Sequence, residues 1–68
     1  MFPLDEAVLA FHKQFGDQGC ETFKQWCAEE RGPAKMRIRL VRDAITNKIY
    51  IGQGDLSTAQ AALKLRNL

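Results

Sequence analysis

Leu4, Val8, Phe11 and Phe15 recur at spacings of four, three and four, which places them on one face of a helix. Pro3 suits the first turn of such a helix, Asp5 and Glu6 suit its positive end, and Gly16 suits its stop. The pattern predicts a helix over roughly residues 3–15. Asp17-Gln18-Gly19 reads as turn chemistry. Cys20, Phe23 and Cys27 then share a second helical face with Trp26 on its flank, and Gly32-Pro33 closes the segment, predicting a helix over about 19–31.

The period changes from there on. Met36, Ile38 and Leu40 alternate with Lys35, Arg37 and Arg39, the pattern of a half-buried strand over 35–41. It resumes as Lys48-Ile49-Tyr50-Ile51. The two runs predict a β-hairpin whose turn has Asn47 as the residue best suited to positive φ. Gly52-Gln53-Gly54 breaks the second strand. Ser57 and Gln60 have capping-box spacing, with Asp55 a rival cap, and Leu56, Ala59 and Leu63 make the inward face of a last helix. The expectation is one α+β domain over 1–68, in ααββα order, with a two-stranded antiparallel hairpin packed against three helices. Its expected core is Leu4, Val8, Phe11, Phe15, Phe23, Cys27, Met36, Ile38, Leu40, Ile49, Ile51, Leu56, Ala59 and Leu63.

Sixty-eight residues leave little core to spare, and a domain of this size nets only ~3–5 kcal/mol without further support. Cys20 and Cys27 are seven residues apart, which on one helix is ~10 Å along the axis. A disulfide requires Cα atoms within ~7 Å, so the two read as buried apolar residues in a reducing compartment. No metal or cofactor is expected. The acidic, proline-bearing start differs from a secretory leader, and no apolar run approaches a membrane span, so the expected location is cytoplasmic with no membrane partner.

Charge adds a second layer to the pattern. Residues 1–30 carry two lysines against six carboxylates, a net −4, whereas residues 31–68 carry eight cations against two carboxylates, a net +6. Such a split points to a polyanionic partner for the basic half, or to attraction between the halves within the fold. With the apolar hairpin residues turned inward, the outer face holds Lys35, Arg37, Arg39, Lys48 and Tyr50, with Arg42 near its edge. Cations and an aromatic on a flat surface suit a phosphate backbone and its bases, while the same charges also protect an exposed strand edge. The functional expectation is a small non-enzymatic accessory or regulatory protein that binds nucleic acid, DNA or RNA, through this face.

A second surface is apolar. Ala61, Leu65 and Leu68 fall on the side of the last helix away from its core face, and Leu9 lies opposite the stripe of the first helix. These residues suit a homodimer or a host-protein target, the alternative being a phage-type inhibitor or adaptor. The acidic residues Asp17, Glu21, Glu29 and Glu30 offer a further face for a basic partner. For catalysis the sequence offers only His12, with no local carboxylate to orient it, beside Cys20 or Cys27 as a nucleophile. The Gly52–Gly54 turn before a helix is a place where free amides meet an anion.

Two stretches resemble known families. Arg42-Asp43, Thr46-Asn47-Lys48 and Ile49-Tyr50-Ile51-Gly52, followed by Ala59, Ala61 and Ala62, look like the last hairpin and helix of AP2-like DNA-binding domains. That resemblance covers fewer than half the residues and implies major-groove reading by a three-stranded sheet. Thr22-Phe23-Lys24-Gln25-Trp26 resembles the start of a recognition helix in small winged-helix excisionases, which implies that the hairpin is the wing. By size the chain resembles the small accessory proteins of phages and mobile elements.

Overall fold

The structure is a computed structural model that describes residues 1–66. It contains two helices and a three-stranded antiparallel sheet, not a two-stranded hairpin against three helices. In chain order these are strand β1 (Phe2–Pro3), helix α1 (Leu4–Glu29), strand β2 (Leu40–Arg42), strand β3 (Ile49–Ile51) and helix α2 (Gln53–Arg66). A short 3-10 turn, Pro33–Lys35, lies between α1 and β2.

The first two expected helices are one element because the intended turn is a single residue. Gly16 takes φ 76° and ψ −168°, outside helical geometry, and the helix resumes at once through Asp17, Gln18 and Gly19. Only glycine visits that region without cost, so one residue redirects the axis and no loop is needed. Asp17 opens the second arm, where a carboxylate meets the positive end of a helix. The arms are tied across the break. The rings of Phe11 and Phe23 stack with centroids 4.0 Å apart and planes 16° apart, Phe15 stacks on Phe11 at 5.5 Å, and Cys20 Sγ reaches the Val8 carbonyl at 3.7 Å. Gly19 is buried directly against Phe15, where a Cβ would collide with the phenylalanine's own Cβ.

The third strand comes from the start of the chain. Phe2 pairs with Ile51 and Pro3 with Tyr50, making the order β1-β3-β2 with β3 in the centre. A two-residue strand is too short to show a period, and proline is compatible with this edge position because it has no amide to donate. On the other side Leu40, Val41 and Arg42 pair with Ile51, Tyr50 and Ile49.

The expected strand over 35–41 shrinks to Leu40–Arg42. Ala34 and Lys35 both take left-handed φ, 55° and 62°, and hydrogen bonds from Gly32 N to Met36 O and from Ile38 N to Glu30 O fold residues 30–38 into a tight loop. The loop carries Met36 out of the core, to 50% exposure, while Ile38 stays buried. Ile49 is half-buried at the end of the sheet. The last helix begins at Gln53, not at Ser57, so the expected capping box does not form. Instead the Leu56 amide donates to Gly52 O, and Asp55 Oδ2 accepts the Arg39 amide at 3.1 Å, joining the helix start to the residue before β2.

The core joins Phe11, Phe23, Cys27, Ile38, Ile51, Ala59 and Leu63 with Ala7, and Phe2, Leu4, Val8, Phe15, Trp26, Leu40 and Leu56 pack against it. Cys20 and Cys27 are free and buried. Burial pushes the Cys27 thiol up to about 11.

Gly16→Ala places a Cβ in open space but on a backbone conformation that L-residues avoid. Urea titration should show a loss of about 1–3 kcal/mol, a large share of the stability of so small a domain; unchanged stability would show that the break tolerates other residues. The raised Cys27 value implies a folded state that holds its proton above the ordinary thiol range. Stability from this group is full below about pH 9, the ordinary thiol value, and declines as pH rises towards about 11. Unfolding free energies measured across that window should slope downwards in the wild type and less steeply in Cys27→Ala.

Candidate nucleic-acid interface

Residues directly opposite one another in a sheet share a face, and neighbours along a strand alternate. Phe2, Ile51 and Leu40 therefore form the inward row, consistent with complete burial of Ile51. Pro3, Tyr50 and Val41 form the adjacent outward row. Arg39 precedes Leu40 and Lys48 precedes Ile49, so both share the outward alternation with Tyr50 and both are exposed. Three of the six residues expected on the basic face are thus brought together: Arg39, Lys48 and Tyr50.

The other three are displaced. Arg42 pairs with Ile49 at the end of the ladder and so belongs to the inward alternation, but it is exposed. Lys35 belongs to the 3-10 turn and has left-handed φ. Arg37 forms an isolated antiparallel bridge with Arg31. Lys35 and Arg31 line a shallow cleft with Trp26, Glu29 and Gly32, and Arg37 lines a neighbouring one with Glu29, Glu30 and Arg31. The period-two pattern at 35–39 does not mark the register because the left-handed pair at 34–35 turns the backbone before the ladder begins.

No ion pair joins the two halves of opposite charge among the described residues. Among the described residues the ion pairs are His12 with Asp17 at 2.6 Å and Lys24 with Glu21 at 3.7 Å, both within the acidic half. Arg31, Lys35, Arg37, Arg39, Arg42 and Lys48 are all exposed, and none has a carboxylate within 4.0 Å among the described residues. The two carboxylates that follow β2 in the chain are engaged by backbone. Asp55 takes the Arg39 amide, and Asp43 takes the Ile45 amide at 2.9 Å.

Asp43 organises the whole β2–β3 connection. Its own amide donates to Lys48 O at 2.8 Å and its carbonyl accepts from Asn47 at 2.7 Å, while Asn47 occupies the left-handed region at φ 62°. The Lys48 amide donates to Thr46 Oγ1 at 3.4 Å. Hydrogen bonds from the Ile45 and Thr46 amides and the Thr46 hydroxyl hold the Asp43 carboxyl below its ordinary value, with the Ile45 amide the largest cause. The loop is therefore braced, and it presents Ile45 at 93% exposure with Arg42 and Lys48 at its two ends.

The remaining candidates separate as follows. Leu9 and Leu65 are strongly exposed and Ala61 is exposed, while Leu68 lies outside the described residues. His12 does have an orienting carboxylate, Asp17, brought to it across the Gly16 break, but the pair is exposed while Cys20 Sγ is buried against Val8 O. Asp55 lies in the first turn of α2, and its carboxylate accepts the Arg39 amide. In the stretch that resembles a recognition helix, Phe23 is in the core and Trp26 is half-buried beneath the Arg66 guanidinium, 5.8 Å from its ring centre. That face is therefore turned into the protein. No described helix is long and apolar enough to cross a membrane.

The lowered Asp43 value gives a pH test of the loop. Hydrogen bonding to the ionised carboxylate is complete above the ordinary value of 3.8 and is lost as pH falls through the lower folded value. The Ile45 amide resonance should titrate with a midpoint below 3.8 and should lose that titration in Asp43→Asn; a midpoint at or above 3.8 would contradict the bracing. Comparison with known proteins adds no relative: no family model, no curated protein and no solved structure matches this chain.

Proposed function

We propose that this chain is a small accessory or regulatory protein that binds nucleic acid through the outer sheet face and the hairpin beside it. The observation that carries the reading is the unpaired state of the six cations between Arg31 and Lys48 among the described residues. Charges that served only to attract the acidic half would be drawn to its carboxylates. These are exposed and available to phosphates.

Arg39, Lys48 and Tyr50 form the centre of the surface, with Arg42 at the end of the β2–β3 ladder and Lys35 and Arg37 on the adjoining loop as its flank. Guanidinium groups bind phosphate oxygens bidentately, and the half-buried Tyr50 ring offers an edge or face to a sugar or base. Release of counterions from the nucleic acid supplies most of the affinity of such a surface, which makes binding steeply dependent on salt. For about three phosphate contacts, raising salt from roughly 50 to 200 mM weakens binding by about 40-fold.

Fluorescence anisotropy with labelled single- and double-stranded oligonucleotides at two salt concentrations tests this directly. Wild type is expected to bind with that salt dependence, and Arg39→Glu/Lys48→Glu to lose at least about tenfold in affinity. Leu9→Asp/Leu65→Asp, on the exposed helix positions, should bind as wild type. No binding at low salt, or loss with the leucine pair and not with the charge pair, would overturn the reading in favour of protein docking.

A further inference from the structure

The β2–β3 loop has an energetic oddity. Loop tips are ordinarily small or polar, yet Ile45 is an apolar, β-branched residue held at 93% exposure. Its position is not that of a slack loop. The Asp43 carboxylate and carbonyl, Thr46 Oγ1 and the left-handed Asn47 together fix the backbone on both sides of it. An ordered tip removes much of the entropy that a partner would otherwise spend in ordering it. Arg42 and Lys48 stand at the two ends of the same loop, exposed and without carboxylate partners among the described residues. The one acidic group in the loop, Asp43, is turned onto the loop's own amides.

We infer that Ile45 is a wedge: the hairpin tip enters the minor groove of duplex DNA, Ile45 inserts between two stacked base pairs, and Arg42 and Lys48 bind the phosphates on either side. This inference rests on the nucleic-acid reading above and assigns it a substrate form, a deformable duplex. The chemistry fits at each point. Apolar side chains such as isoleucine unstack base steps from the minor groove and kink the duplex, and flanking cations hold the strands that are bent around them. The groove is ~6 Å wide before deformation, so it admits a turn tip more readily than a whole hairpin. Pyrimidine–purine steps, above all TA, open at lowest cost and are the expected place of insertion.

An anionic membrane is the other polyanion that an apolar tip among cations would suit. Burial of one isoleucine side chain falls short of stable lipid anchoring. One side chain is, however, what a single base step accepts.

The test uses the whole protein and a duplex of about 25 base pairs with one central TA step, a fluorophore at each end, and 2-aminopurine at the step in a parallel sample. Wild type should raise end-to-end energy transfer and 2-aminopurine fluorescence on saturation. Ile45→Ser, at an exposed position that leaves the core untouched, should still bind with the same salt dependence, within about tenfold of wild type, and lose both signals. Arg42→Glu/Lys48→Glu should lose binding and signals together. Wild type that binds without either signal, or Ile45→Ser that bends and unstacks like wild type, overturns the wedge and leaves the nucleic-acid reading standing. Failure of wild type to bind any oligonucleotide overturns both. Uptake by phosphatidylserine vesicles that depends on Ile45, with no duplex binding, would assign the tip to a membrane and overturn the wedge.

Discussion

The fold depends on the stacking of Phe11 against Phe23 across the break at Gly16. Those rings belong to two arms of one helical element, and they meet only because Gly16 adopts a backbone conformation closed to other residues. Gly19 lets the second arm approach Phe15 without a Cβ between them, and Cys20 Sγ faces the Val8 carbonyl across the same junction. A chain of this length has one chance to build a core. Folding one helix on itself brings three phenylalanines together within the first 23 residues, and the sheet and α2 then close over them through Ile51, Ala59 and Leu63.

That arrangement decides where the charges go. Ile38, Leu40 and Ile51 are committed to the core side, so Arg39, Lys48 and Tyr50 take the other side by the pleat of the sheet. The tie from Asp55 to the Arg39 amide fixes this register to the start of α2 through backbone, leaving the arginine side chain exposed. Two acidic residues of α1 find partners on α1 itself, Asp17 with His12 and Glu21 with Lys24. The two charge systems thus occupy different elements. A strongly basic surface on so small a protein produces a field that draws polyanions and speeds their encounter. It also gives the three-residue edge strand β2 some protection against pairing with other chains.

Local pattern carried much of this structure, because helical and strand periods record which side chains meet the core. The stripes Leu4–Phe15 and Cys20–Cys27, the alternation at Ile38–Leu40 and Ile49–Ile51, and the inward face of Leu56, Ala59 and Leu63 all lie on or against the core side, apart from the half-buried Ile49. Asn47 takes positive φ, as its small polar side chain allows. The separation of acidic and basic halves, and the exposure of the basic residues, follow from residue identity alone. What pattern does not encode is a departure made by one or two residues. Gly16 looked like the end of a helix and is a bend within one. The left-handed pair Ala34–Lys35 has no glycine or asparagine to announce it, and it removed Met36, Lys35 and Arg37 from the sheet.

By itself, then, the sequence determined the apolar faces, the mixture of helix and antiparallel strand, the position of the turn at Asn47 and the sign of the charges around it. Only the tertiary structure decided that Phe2–Pro3 completes the sheet, that Asp17 reaches His12, that Asp55 accepts the Arg39 amide, and that Ile45 stands braced between exposed cations. The division has a physical cause. Side-chain periodicity is a property of neighbours within one element, whereas pairing, register and loop bracing depend on contacts between distant segments and on the backbone angles of single residues.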